Sequence, residues 1–190
     1  MNAVVVLPTS ALAPSAAQSH VERVQRQAKV RCSSDLVPPS YKGNMVNTLL
    51  ALEIAHRIGA TPVAVIQNLY IVQGRPSWSS SFLIATVNAC GRFEPLRFEV
   101  SGNDPAAKDY RMRAYAKDKA SGETCYGSWI TWKMVDSEGW SKKNGSKWLT
   151  LAEQMFMYRS ASFGARAYAP EISLGKKCVM YGVARIRRTH

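Results

Sequence analysis

The sequence predicts an α+β fold: a small antiparallel sheet containing a β-hairpin, with helices packed on one side. Three observations predict it. Apolar and polar residues alternate through residues 96–134, helical periodicity runs over residues 44–58 and 150–167, and a short apolar run at Leu69–Val72 breaks at Gln73-Gly74-Arg75-Pro76 and returns toward Trp78. A chain of 190 residues with 46% hydrophobic content suits one domain and can bury a core.

Residues 1–17 read as a mobile tail. The apolar patch "AVVVL" has no Lys or Arg before it and is stopped by Pro8, unlike a secretory leader. "SHVERVQRQAKV" then places Val21, Val24 and Ala28 at helical spacing, and Pro38-Pro39 in "DLVPPSYKGN" stops that helix and starts an extended linker. In "NMVNTLLALEIAHRIG", Val46, Leu49, Leu50, Leu52, Ile54 and Ile58 surround a helix that Gly59 closes, which predicts a largely buried element. Thr61 caps a further short turn that Pro62 opens.

The next stretch, "NLYIVQGRPSWSSSFLIATVNACGRF", reads as strand, tight turn, returning arm and helix. Ser79 or Ser80 caps that helix, which runs to about Cys90 and ends at Gly91. Arg75 sits at the turn tip. Leu96, Phe98 and Val100 alternate with Arg97 and Glu99, and "DYRMRAYAKDKASGETCYGSWITWKMVDSEGW" reads as a hairpin about Ala120-Ser121-Gly122. Side chains alternate along a strand, so Arg111, Arg113, Tyr115 and Lys117 share one face of its first arm, and Trp129, Thr131 and Lys133 one face of its second. The sheet should therefore carry a basic and aromatic face. In the last helix, "WLTLAEQMFMYRSASFGARAYAPE", Thr150 and Glu153 form a capping box and Pro170 supplies the stop. Arg159 and Arg166 stand seven residues apart on one stripe, beside a packing stripe of Phe156, Phe163 and Ala167.

Charge narrows the partners. Twenty-five Lys and Arg against 13 Asp and Glu leave +12, and Lys142, Lys143, Lys147, Arg159 and Arg166 belong to a strongly basic last quarter, so a polyanion is the expected partner. Cys32, Cys90, Cys125 and Cys178 have no C-x-x-C spacing, so they read as buried free thiols in a reducing cytosol, and no metal site is expected. Pro170 and Lys177 break the pattern that a nucleotide-binding P-loop would need around Gly175-Lys176, and the acids are scattered without nuclease spacing. No catalytic residue and no cofactor are expected, nor any membrane-spanning segment.

Two long stretches, "LVPPSYKGNMVNTLLALEIAHRIGATPVAVIQNLYIVQGRPSWSSSFLIATVNACGRFEPLRFE" and "WLTLAEQMFMYRSASFGARAYAPEISLG", resemble the RecT family of phage single-strand annealing proteins, over residues 36–175. The resemblance implies ATP-independent annealing of complementary DNA strands in phage-type recombination, in the cytoplasm of a bacterial host, by a homo-oligomer whose subunits line a basic DNA-binding groove. The expected partners are single-stranded DNA and the annealed duplex intermediate, with a phage exonuclease and the host single-strand-binding protein as further ones. It matches Lys147, Arg159 and Arg166 to the family's cationic positions, Lys117 and Lys133 to its hairpin lysines, and places Arg75 and Trp78 in its signature turn. The annealing domain then spans residues 18–175. After Gly175 this chain departs from the family and ends in the basic tail "KKCVMYGVARIRRTH", residues 176–190. The alternative on charge alone is a basic RNA-binding or ribosome-associated module without annealing activity.

Overall fold

The computed structural model describes residues 16–72 and 74–173. Most of the tail expected over residues 1–17, the basic tail 176–190 with Cys178, and Gln73 of the turn lie outside them. Helix α1 (Ala16–Cys32) already begins inside the expected tail and packs along α2 (Met45–Ile58).

The N-terminal part is helical, as its periodicity predicts. Asn44 caps α2 by accepting from the Asn47 amide, and Gly59 ends it at φ 70°, a left-handed turn that favours glycine. Thr61 caps α3 (Pro62–Asn68) and Pro62 opens it. Two expectations fail here. The connection after α1 is not extended: the Pro38 carbonyl accepts from the Tyr41 and Lys42 amides, folding it into turns that bury Tyr41 to 1% exposure. A fixed proline φ suits such a turn as well as it suits an extended chain. Nor is α2 largely buried. Its covered stripe is Thr48, Ala51, Leu52 and Ala55, while Val46 and Leu50 are 65% and 51% exposed.

Strands β1 (Leu69–Val72) and β2 (Arg75–Trp78) form an antiparallel hairpin with Val72 opposite Arg75, separate from the main sheet. Gly74 supplies φ 75° in its turn. Ser79, held also by the Asn68 side chain, caps α4 (Ser80–Ala89), with Cys90 as its C-cap.

The main sheet is antiparallel, with β3 (Arg97–Ser101) and β5 (Thr124–Tyr126) on either side of β4 (Arg111–Lys117), while β6 (Ile130–Thr131) pairs back to the start of β4. The expected hairpin is there, but its second arm is not one strand. The arm leaves strand geometry after Tyr126 and rejoins β4 only at Ile130; between them the Gly127 amide still donates to the Ala114 carbonyl, and a Cβ at Gly127 would sit 3.1 Å from that oxygen and 3.3 Å from Gly164 Cα, where the last long helix crosses. Thr131 then caps α5 (Trp132–Ser137), so Lys133 lies on a helix and shares no strand face with Trp129 and Thr131.

Helix α6 (Ala152–Tyr168) packs on the sheet face that carries Met112 and Ala114. Its expected capping box does not form: Leu151 is the N-cap without a side-chain bond, and the Thr150 hydroxyl is spent on the Lys147 carbonyl in the turn that precedes it. Ala167 is exposed, not part of the packing stripe, whereas Phe156 is fully buried. Pro170 starts α7 (Pro170–Ser173) and does not merely end α6.

Three apolar clusters hold these layers together: Tyr110, Met112, Trp132 and Phe156 beneath the sheet, Leu83, Val87, Phe93 and Ala165 between α4 and α6, and Tyr41, Ala51, Ile66 and Leu69 in the helical part. Cys32, Cys90 and Cys125 are free, but only Cys32 is buried; the other two are half-buried. Among the described residues, no single helix is long and apolar enough to cross a membrane.

Candidate nucleic-acid interface

The face of the main sheet turned away from α6 is the clearest candidate surface. In β4, Met112, Ala114 and Ala116 are buried and the alternate residues Arg111, Arg113, Tyr115 and Lys117 are wholly or partly exposed, as the alternation predicts. Register extends this face sideways: Arg97 stands opposite Tyr115, Glu99 opposite Arg113, Tyr126 opposite Tyr115, Thr124 opposite Lys117 and Thr131 opposite Arg111. Cross-strand partners point the same way. The strands therefore present the cations Arg97, Arg111, Arg113 and Lys117 against one carboxylate, Glu99.

Rings and guanidiniums alternate across that face. Arg111 lies 4.7 Å from the Trp129 ring centroid, and Arg113 lies 4.6 Å from Trp129 and 4.2 Å from Tyr126. Tyr126 continues to Tyr115 at 5.6 Å. Glu99 fixes Arg113 by accepting from both Nε and Nη2 at 2.8 Å. These contacts order the side chains before any ligand arrives, and Tyr126 remains 44% exposed. Arg97, Arg111 and Lys117 make no ion pair among the described residues, so their charge is available to a polyanion.

A second basic cluster lies elsewhere. The connection from α5 to α6 is pinned by Trp140 and Trp148, both buried, with rings 5.8 Å apart and an interplanar angle of 25°. Ser146 donates to the Trp140 carbonyl. This connection presents Lys142, Lys143 and Lys147 to solvent. Arg159 reaches it from α6, with its guanidinium 3.8 Å from the Trp140 centroid. Burial lowers the Arg159 pKa, the nearby Arg166 adds to that, and Glu138 opposes it. Arg159 is thus a half-buried packing group, and Arg166 is the exposed cation of the pair.

The structure divides the twelve sequence candidates. It brings together Arg111, Arg113, Tyr115 and Lys117 on the sheet, and Lys142, Lys143, Lys147, Arg159 and Arg166 at the α5–α6 side. Lys133 is exposed on α5. Arg75 is exposed at the start of β2, while Trp78 packs inward, stacked on Phe82 at 4.4 Å. Sequence reasoning missed Arg97 and Tyr126. Arg97 was legible from its alternation with Phe98, but Tyr126 needed the register of β5 on β4, which the sequence does not display.

Among the described residues, no group of His, Cys, Asp or Glu could hold a metal ion. Comparison of the chain with protein-family models, with curated proteins and with solved structures gives no significant match.

Proposed function

We propose that this chain binds single-stranded DNA without ATP and anneals complementary strands, acting as an oligomer in the manner of the RecT-type proteins that its sequence resembles, in the cytoplasm of a bacterial host. The observation that carries the reading is the open sheet face, where Arg97, Arg111, Arg113 and Lys117 are interleaved with Tyr115, Tyr126 and Trp129. Cations hold phosphates irrespective of sequence and rings stack on any base, which is the pairing of chemistries that single-strand binding uses. Base pairing alone then selects the partner strand, and no bond is made or broken.

Self-association is part of the proposal. Val46 and Leu50 on α2, Val63 on α3, and the consecutive Tyr70, Ile71 and Val72 on β1 are all exposed apolar residues, more than a monomer gains by showing to water. A site of this size covers only about 4–16 nucleotides, so stable pairing of long strands needs several copies.

The test mixes two complementary oligonucleotides with and without the protein, in the absence of ATP, and follows duplex formation. Faster pairing that structured RNA fails to inhibit supports annealing. Binding of structured RNA in preference to single-stranded DNA, with no acceleration, overturns it in favour of an RNA-binding module.

A further inference from the structure

We infer that the sheet face and the α5–α6 side are two independent single-strand sites on one chain, a stacking site and a charge-only site, and not two walls of one surface. The inference rests on the single-strand reading above and adds to it how the strands are held.

Position argues for separation. Gly164 marks the side of α6 that meets the sheet, since its own Cα and amide lie against Gly127 and a Cβ on it would sit 3.5 Å from the Ala114 Cβ. At about 100° per residue, Arg159 points ~140° and Arg166 ~160° round the helix from Gly164. Both therefore project from the side of α6 opposite the sheet. The stacking residues project from the sheet face opposite α6. A helix about 10 Å across, besides the sheet itself, lies between the two sets.

Chemistry argues for different modes. On the sheet, Tyr126 is exposed and continues a ladder of rings and guanidiniums, so bases can add to it. On the other side Trp140 and Trp148 are 8% and 6% exposed, and Trp140 already carries Arg159. Among the described residues no fully exposed ring is left there, and Lys142, Lys143, Lys147 and Arg166 offer charge to phosphates. Two segments held on opposite sides of α6 cannot pair with one another, so complementary strands meet between copies of the chain and not within one.

The test titrates the full chain with oligothymidylate of about eight nucleotides, short enough to occupy one face. Stoichiometry and aromatic fluorescence are followed at several salt concentrations. The parent should take two oligonucleotides per chain, one quenching fluorescence and the other silent, each with a salt slope of about 0.7 for each phosphate contact. Tyr126→Ala, and separately Lys117→Glu on the same face, should abolish or weaken at least tenfold the quenching site alone. Lys142→Glu with Lys143→Glu should do the same to the silent site alone. A single site weakened to the same extent by both sets of variants overturns the inference, while leaving single-strand binding standing. No binding by the folded parent overturns the single-strand reading itself.

Discussion

The Arg159 guanidinium lies 3.8 Å from the Trp140 ring centroid, so one of the two cations of α6 is held by the protein itself. Replacing it should act on stability before it acts on nucleic acid. Arg159→Ala should lose the contact, worth about 1–2 kcal/mol for a partly desolvated pair. Arg159→Lys restores charge but not the flat guanidinium, and should melt closer to the Ala variant than to the parent. Melting curves beside salt titrations of DNA binding check this. A salt slope reduced by a full phosphate contact, at an unchanged melting temperature, would refute it.

Tyr41 donates its hydroxyl to the Leu69 carbonyl at 2.7 Å, tying the α1–α2 connection to the root of the hairpin. Tyr41→Phe strips the donor from a buried carbonyl and should cost about 1–3 kcal/mol. Burial raises the Tyr41 pKa, and it raises that of Tyr110 too, with Glu153 adding to the second. A folded-state pKa above the unfolded value near 10.0 means stability fully present below about pH 10 and lost as pH rises through the folded value. The Phe variant should therefore show a flatter alkaline decline in denaturant midpoint than the parent.

Asp118 behaves oppositely. It accepts from the Ala120 amide at 2.9 Å and from Arg92 Nε at 3.0 Å, and these bonds hold its carboxyl below the ordinary value of 3.8, the amide contributing most. Stability from this group is present above that value and lost as pH falls through the depressed one. Asp118→Asn should reduce the acid slope of the melting temperature below about pH 4. An unchanged acid profile would show that the β4–β5 turn draws nothing from the charge.

Local chemistry made much of this fold readable. The caps at Thr61 and Ser79, the left-handed Gly59, and the alternation through Arg111–Lys117 are each decided within a few residues, and each stands where the pattern puts it. The failures are tertiary. Thr150 and Glu153 match a capping box, but the turn beginning at Lys147 claims Thr150 first. Residues 127–133 alternate well enough for a strand, yet Gly127 lies against Gly164 of α6, β5 ends at Tyr126, and Thr131 caps a helix that carries Lys133. For the candidate site the parity along β4 was legible, whereas the side of the domain on which the α6 arginines emerge was not. That depends on which helix face meets the sheet, and Gly164 and Ala165 decide it, not the charges.

Trp78 is the sharpest test of packing against recognition. From the turn sequence alone its indole could stack on bases, but in the structure it lies parallel to Phe82, at 4.4 Å and 11°. It also packs against both the cluster of Leu83 and Phe93 and that of Tyr41 and Ile66. It therefore joins the helical N-terminal part to the layer of α4 and α6. Trp78→Ala should cost about 3 kcal/mol, the low end for removing a large aromatic from a core because the residue is only half-buried. Trp78→Phe, which keeps a ring against Phe82, should recover most of that. The folded fraction of either variant should bind single-stranded DNA with the parent's affinity and salt slope. If instead Trp78→Ala melts like the parent but loses about 1–3 kcal/mol of DNA affinity, the indole serves bases and not the core, because a stacking platform is removed without disturbing the fold, whereas a packing residue is not.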